Sequence, residues 1–469
     1  MLPIQGILDR VIKEIAPRPE ERAKIVSIAE RLCLKVSEAY SQAGFEADVR
    51  IDGSVAKDTW LSRETDIDIF VKLPAHLTRE DLETKCLEVV RKAFPQHVER
   101  FAEHPYIEVE VEGVKVNIVP CFNVEKGKWK SATDRTPFHT EYMKAHLDDR
   151  LRNEVRLTKK FARGIGVYGA EIKIRGFSGM LCETLTLHYG SFLELLKSAT
   201  AWKNGQLIDI EKFHAGLEKE IPDLFPEPLV VVDPVDKGRN VAAAVAEEKM
   251  WLFVAAARRF LQQPAEYFFK PLPIRPLTPK QIHDRLAKRG SDTVFLQFGG
   301  VDAVVDVLWS QLYKTERSLC NLLKANDFRV IRSASWSDEE TFNVIALELE
   351  KARLSPVRIH LGPPVSREAE SQSFLEKHLN ARETATGPRI EGDRWVVERT
   401  RRYTDAATLI RESLRDGGKS IGAANRISPV LRKGFKVLVN GEIAGSCRNR
   451  RGLALFLTEY LRGRPSWLE

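Results

Sequence analysis

The sequence predicts a multidomain α+β protein, with an α/β head followed by a helical central region and a mixed α/β body and tail. At 469 residues, the chain is too long for one compact core. Helix-type and strand-type apolar patterns alternate over roughly the first 135 residues, and the pattern is helical from about 140 to 260. Five prolines between residues 264 and 279 then mark an extended linker before a second α/β region.

The head is predicted from apolar periodicity and from the residues that interrupt it. Ile25, Ile28 and Leu32 recur at helical spacing, and Gly44 is expected to end that helix. Further along, apolar residues alternate with charged ones, which is typical of half-buried strands. These patterns predict helix, strand, strand and helix in turn over residues 20–44, 47–51, 66–73 and 79–93.

A β-hairpin is predicted around Glu112-Gly113. Apolar residues alternate on both sides of this dipeptide, over residues 107–111 and 114–120, and glycine suits the turn between them. The second arm would place residue 117 beside the strand over 66–73.

Two acidic residues on that strand are the main candidates for chemistry. In a strand, side chains at positions i and i+2 share a face about 6.5–7 Å apart, so Asp66 and Asp68 would point the same way. Such a pair can share a Mg²⁺ ion that also keeps phosphate oxygens in its shell. Gly53-Ser54, about a dozen residues earlier, can bring backbone N–H groups close to a phosphate. Together these features predict a nucleotidyl-transfer site.

Composition excludes several other classes. The chain has no run of eighteen apolar residues and no basic, then apolar, N-terminus, so neither a membrane span nor a secretory signal is expected. Its six cysteines are scattered without a Cys-x-x-Cys pair, which is typical of free thiols in a reducing compartment. A cytoplasmic location is therefore expected.

Positive charge is concentrated towards the C-terminus. Residues 394–451 carry fourteen Lys and Arg against five Asp and Glu, an excess larger than the +7 of the whole chain. Trp395, Tyr403 and Phe435 are interleaved with these charges, which favours an RNA-facing surface. A solvated basic face is the alternative. Residues 340–349 predict a strand of a small RNA-binding-type sheet.

The motifs resemble those of the class I (archaeal-type) CCA-adding enzymes, tRNA nucleotidyltransferases of the DNA polymerase β-like superfamily. The resemblance covers roughly residues 50–270. The matching segments include Gly53-Ser54, Asp66-Ile67-Asp68, Val119-Pro120-Cys121, Asp134 to His139, Asn153 to Leu157, Tyr168 to Glu171, Arg175 to Gly179, and Asp233 to Ala242.

The resemblance implies a role for each matching position. The acids Asp66 and Asp68 would ligate metal, although relatives often have Glu at the first. A triphosphate would contact Ser54 and Lys57, the latter often Arg in relatives. Arg239 would help read the base, and further nucleotide contacts would come from His139, Lys159 and Tyr168.

Asn117 departs from the family pattern, which has Asp as a third catalytic and metal-binding residue. An amide oxygen is a neutral and poorer ligand, and in a two-metal site the loss of one ion should cost orders of magnitude in rate. Three explanations are open: an engineered inactive variant, a naturally degenerate enzyme, or substitution by another acid such as Glu108 or Glu110.

The resemblance implies addition of C, C and A to the tRNA 3′ end from CTP and ATP, with Mg²⁺ as cofactor. Its partners would be the tRNA acceptor stem and TΨC loop, with a homodimer possible. We expect a nucleotidyltransferase head over 1–138, a helical central (neck) domain over 139–262 and an RNA-binding body and tail over 263–469. A poly(A)-polymerase-like enzyme, a small-molecule nucleotidyltransferase and a non-catalytic RNA-binding relative are the alternatives.

Overall fold

A computed structural model describes residues 4–101, 105–217 and 219–468. The chain forms two compact units, one comprising residues 1–273 and 465–469 and the other residues 274–464. The described residues contain no helix that is long and apolar enough to cross a membrane.

Unit 1 contains a five-stranded sheet and a largely helical region. Its helices are α1 (Ile4–Ile15), α2 (Pro19–Gln42), α3 (Gly53–Ala56), α4 (Arg79–Asp81), α5 (Leu87–Ala93), α6 (Arg135–His146), α7 (Asp149–Gly164), α8 (Gly179–Tyr189), α9 (Phe192–Ala199), α10 (Ile221–Leu224) and α11 (Glu247–Gln262). Its strands are β1 (Asp48–Asp52), β2 (Asp66–Pro74), β3 (Val98–Phe101), β4 (Pro105–Val111), β5 (Val114–Asn123), β6 (Gln206–Ile208), β7 (Leu229–Asp233) and β8 (Asp236–Asn240).

The head sheet has the strand order β1-β2-β5-β4-β3, in which only β2 and β5 are parallel. This topology confirms the predicted strands and hairpin and places residue 117 beside the acidic strand. One face of the sheet is apolar and packs with α2 and α5, with Ile67, Ile69, Val116 and Ile118 fully buried. A π-helical turn, Leu82–Cys86, joins α4 to α5 in the predicted helix over 79–93.

The central region folds around clustered aromatic side chains, including Phe161, Phe253 and Phe260. Helix α7 starts at an Asp148 cap, whose carboxylate accepts the Leu151 N–H at 2.7 Å. The region is not purely helical, because β6, β7 and β8 form a small sheet. The boundary at residue 138 remains a prediction, since both sides of it belong to unit 1.

Unit 2 is mixed α/β, with sheets of order β10-β11-β9-β15 and β12-β14-β13. The predicted strand over 340–349 is confirmed as a central, buried strand of the first sheet. The elements are α12 (Pro279–Lys288), β9 (Asp292–Gly299), α13 (Val305–Ala325), β10 (Val330–Ser337), β11 (Phe342–Leu349), β12 (Val357–Pro364), α14 (Glu368–His378), β13 (Thr384–Glu391), β14 (Arg394–Thr400), α15 (Ala406–Ser413), α16 (Ser428–Lys433), β15 (Phe435–Val439) and α17 (Arg451–Arg462).

Candidate active site

Asp66 and Asp68 stand on one face of β2. The residues between and after them, Ile67 and Ile69, are fully buried on the opposite face, as the pleat requires. Asp66 is exposed and Asp68 is half-buried. The acid pair therefore has the shared orientation that the sequence predicts.

The chain approaches Asp68 closely at Gly53. A side-chain Cβ at this position would lie 2.1 Å from Asp68 Oδ2, and the backbone has a φ of +69°. Only glycine meets both demands without strain. The predicted turn is a short helical segment, α3, in which Ser54 is half-buried. The Gly53-Ser54 backbone thus passes directly beside the acid pair.

Asn117 lies opposite Asp68 on the neighbouring strand β5. Its Nδ2 group donates a hydrogen bond to Asp68 Oδ1 at 3.0 Å. In this orientation the amide nitrogen faces the carboxylate. Ligation of a metal by the amide oxygen would therefore require the side-chain amide to turn over.

The two acids considered as substitutes both lie on strand β4, next to β5. Glu108 is the cross-strand partner of Asn117, but its carboxylate accepts from Arg100 Nη2 at 2.9 Å. Glu110 is exposed and pairs in register with Lys115. Within the described residues, no group of three or more His, Cys, Asp or Glu side chains is arranged to hold a metal.

Neighbouring positive charges compensate the acid pair only in part. Burial, together with the charge of Asp66, raises the pKa of Asp68 to about 6, against the Asn117 hydrogen bond and the charge of Lys57. Burial and the charge of Glu108 raise the pKa of Asp66. A cation that comes close to the pair would favour the ionised form of both carboxylates.

The donor set fits a divalent cation. The two carboxylates on one face of β2 are oxygen ligands, and Mg²⁺ is commonly held by only one or two carboxylates plus phosphate oxygens and water.

Lys57 and Lys159 are brought together by a buried acid that the sequence did not single out. Lys57 Nζ lies 2.6 Å from Glu183 Oε2, and Lys159 Nζ lies 2.8 Å from Glu183 Oε1. The Thr59 hydroxyl donates to Glu183 Oε1 at 2.6 Å and accepts from Lys159 at 2.9 Å. Two predicted phosphate-binding residues thus share one carboxylate.

His139 and Arg239 share a second buried acid. His139 Nε2 lies 2.8 Å from Asp233 Oδ2, and Arg239 Nη1 donates to the same oxygen at 2.6 Å. Burial alone would raise the pKa of Asp233, but the hydrogen bond and charge of His139 and the charge of Arg239 lower it. Asp233 lies in one of the segments that match the family, Asp233 to Ala242, but the resemblance assigned no role to this residue.

Tyr168 packs near Lys159 at Gly179. A Cβ at position 179 would lie 3.3 Å from the Tyr168 hydroxyl and 3.8 Å from Lys159 Nζ. The Arg163 guanidinium lies 4.6 Å from the centre of the Tyr168 ring. Burial raises the pKa of Tyr168 to about 12, so its hydroxyl remains a proton donor at neutral pH.

Helix α7 carries a run of basic residues, namely Arg150, Arg152, Arg156, Lys159, Lys160 and Arg163. Arg156 is almost fully buried, and its guanidinium donates to the Trp60 carbonyl oxygen at 2.9 Å and to Asp58 Oδ1 at 2.7 Å. Arg156 thus holds in place the segment between α3 and β2.

Comparison with known proteins identifies the family. A nucleotidyltransferase domain model matches residues 30–139, a model of the second domain of tRNA nucleotidyltransferase matches 153–270, and a model of the CCA-adding enzyme C-terminal domain matches 289–440. A CCA-adding enzyme of Methanosarcina barkeri is 39% identical over 443 residues, which cover 93% of this chain and 94% of that protein. The chain belongs to the CCA-adding enzyme family. One from Halobacterium salinarum is 37% identical, covering 89% of this chain and 90% of its own length.

Membership makes the protein an enzyme of the tRNA nucleotidyltransferase type, as the resemblance implied. The nucleotidyltransferase match spans the strands that carry the acid pair and Asn117. Such domains typically use divalent metal ions. The candidate site therefore lies within the part of the chain that matches the nucleotidyltransferase domain.

Proposed function

We propose that the protein adds C, C and A to the 3′ end of tRNA from CTP and ATP, without a nucleic-acid template. The tRNA 3′-oxygen forms a bond to the α-phosphorus of the nucleotide, and the bond to the departing pyrophosphate breaks. The 3′-hydroxyl proton is released to solvent. The observation that carries this proposal is the acid pair facing the Gly53 backbone, in a chain of this family.

Asp66 and Asp68 would hold Mg²⁺, with the Asn117 amide oxygen as a weaker third ligand. The ion, when bound, would neutralise charge on the phosphates. The chain's own part is to fix the two carboxylates on one face of β2 and to bring the Gly53-Ser54 backbone beside them.

The nucleotide would be bound by residues of both the head and the central region. Ser54, Lys57 and Lys159 supply a hydroxyl and two cations suited to a triphosphate. For the base and sugar, His139, Tyr168 and Arg239 supply ring and guanidinium donors. The anchoring of His139 and Arg239 on one buried carboxylate supports a preorganised group. We assign the head to residues 1–138 and the central domain to 139–262.

The body and tail over residues 263–469 would bind the acceptor stem and TΨC loop. A-form RNA is recognised mainly through its shape, its phosphates and its 2′-hydroxyls, which suits a basic surface. The excess positive charge of residues 394–451 supports this assignment. A homodimer rests on the family resemblance alone.

Asn117 favours a second candidate, a relative that binds RNA without catalysis. The two candidates are separated by incubating the protein with tRNA lacking its 3′ end, Mg²⁺ and labelled CTP or ATP, in parallel with Asn117→Asp. We expect the variant to add C, C and A at least about a hundredfold faster than the protein with Asn117. An Asn117→Asp protein that binds tRNA tightly but transfers no nucleotide would establish the non-catalytic alternative. Long adenosine tails on arbitrary RNA would instead identify a polymerase.

Two further variants test whether Glu108 replaces the missing acid. If it does, Glu108→Gln should abolish the activity of the natural chain, and adding Asn117→Asp should restore it. Glu110→Gln is the matched control, because Glu110 is exposed and pairs in register with Lys115. An unchanged rate in Glu108→Gln would exclude this substitution.

A further inference from the structure

Glu183 is a charged residue at the centre of unit 1 with only 1% of its surface exposed. It projects from α8 between Lys57, which follows α3, and Lys159 of α7. Each lysine takes a different carboxylate oxygen, at 2.6 and 2.8 Å. Both lysines are themselves more than nine-tenths buried. One acid thus joins Lys57 of the head to Lys159 of the central helices.

The charges within this cluster do not cancel. Two ammonium groups face one carboxylate, which leaves a net charge of +1 in a region from which water is largely excluded. Burial alone would raise the pKa of Glu183, but the charges and hydrogen bonds of Lys159 and Lys57 lower it to about 2. The carboxylate is therefore ionised at every pH at which the protein would work.

A purely structural role does not account well for this arrangement. A buried ion pair contributes little to stability compared with apolar packing, because both partners lose their hydration. The second ammonium group has no carboxylate of its own, which makes the contribution of the cluster to stability still less favourable. A cluster with surplus positive charge does, however, suit an anion that arrives later.

The surroundings indicate which anion. Lys57 directly follows α3, whose first residue, Gly53, lies against the carboxylate of Asp68, one of the two candidate metal ligands. Lys159 Nζ and the Tyr168 hydroxyl both lie beside Gly179. A Cβ at that position would be 3.8 Å from the first and 3.3 Å from the second. Both lysines therefore border groups already assigned to nucleotide binding, and the shared carboxylate fixes where their ammonium groups sit.

We propose that Glu183 is a positioning residue that holds Lys57 and Lys159 as a preorganised pair of cations for the triphosphate of the incoming nucleotide. The inference rests on the proposed function, because it concerns the same nucleotide site. Fixing both side chains in advance reduces the conformational entropy lost when the phosphates bind. The Thr59 hydroxyl, which contacts both Glu183 and Lys159, supports the same geometry.

Calorimetric titration with CTP and with ATP tests the proposal and needs no turnover. We expect Glu183→Gln to weaken the binding of CTP and of ATP at least about tenfold, because the charge-assisted contacts that hold the two lysines are lost. Glu183→Asp keeps the charge, but its side chain is one methylene shorter and cannot reach both lysines. Its nucleotide affinity should therefore lie between those of the unchanged protein and Glu183→Gln. The dissociation constant for tRNA should stay unchanged. Glu154→Gln is the matched control, because its half-buried carboxylate accepts the Phe192 N–H at 2.8 Å and no lysine.

Circular dichroism checks that Glu183→Gln folds. Should it fail to fold, Thr59→Val carries the test, since it keeps all three charges and removes only the shared hydroxyl. We then expect a loss of about threefold for both nucleotides. Nucleotide affinity equal to that of the natural chain, in a folded Glu183→Gln or in Thr59→Val, would overturn the inference and leave the proposed function intact. A natural chain that binds neither CTP nor ATP would instead count against the proposed function.

Discussion

Asp52 offers a quantitative test of the electrostatics around the site. It is fully buried at the end of β1, and neither of its carboxylate oxygens has a hydrogen-bond partner. The Thr140 hydroxyl nearby donates to the Thr136 carbonyl oxygen instead, and Arg50 Nε lies 3.3 Å from Asp52 Oδ2. Burial therefore raises the pKa of Asp52 from 3.8 to about 6, against the charges of Arg50 and Lys57.

The size and sign of the effect follow from this value. A group whose pKa is raised in the folded state contributes stability below its unfolded pKa and loses it as the pH rises through the folded pKa. For Asp52 the loss runs from about pH 4 to above pH 6 and amounts to about 3 kcal/mol. Asn has the same shape but cannot ionise. We therefore expect Asp52→Asn to stabilise unit 1 by up to about 3 kcal/mol at pH 8, which corresponds to about 6–12 °C in Tm.

Scanning calorimetry of both proteins at pH 8 and pH 5 measures the difference. The gain should shrink to about half at pH 5, where much of the natural Asp52 is protonated in the folded state. Asp48→Asn is the control on the same strand, since Asp48 is exposed and lies 3.6 Å from Lys72. No gain at pH 8, or an equal gain at both pH values, would refute the reasoning.

Three further changes have expected outcomes. Gly53→Ala should weaken CTP and Mn²⁺ binding at least about tenfold in titration calorimetry while the protein stays folded, because the new Cβ would collide with Asp68 Oδ2. Asp233→Asn should raise the KM for CTP and ATP about tenfold in steady-state assays, since Arg239 would lose its charged anchor. Glu348→Gln should lower the thermal transition of unit 2 at pH 7, because this buried acid pairs with two arginines. The difference should vanish as the pH falls from about 4.5 towards 2, where its lowered pKa lies.

The parts of the site that the sequence predicted correctly depend on local patterns. Strand β2 and the β4–β5 hairpin follow from alternation of apolar residues and from a glycine-containing turn, which are readable within a few positions. The close approach at Gly53 also has a local signal, since a small-residue pair stands a fixed distance before the acids. Nucleotide contacts by Lys159, His139 and Arg239 were expected from the family resemblance and not from any local pattern, and they stay a prediction.

The parts that the sequence did not predict depend on partners far apart in the chain. Glu183 resembles any acid in a helix, and one of its lysines lies 126 positions away. Asp233 similarly contacts His139, which is 94 positions away in the chain. The strands β6 to β8 are only three to five residues long, too short for a clear period-two pattern in a region of helices. Contacts between residues that are far apart in the chain leave no periodic pattern in the sequence, so periodicity cannot predict them.

Asn117 connects the charge balance of the site with its chemistry. The amide donates to Asp68 and thereby relieves a carboxylate whose pKa is already raised, whereas Asp at this position would add a third negative charge between Asp68 and Glu108. Without metal, Asn117→Asp should therefore be less stable than the natural chain by at least about 1.5 kcal/mol, or about 3 °C in Tm. A divalent ion would reverse this penalty, because it binds the folded state that carries the extra charge. Saturating Mg²⁺ should thus raise the Tm of Asn117→Asp by more than it raises that of the natural chain. Equal increases in the two proteins would mean that residue 117 does not face the metal.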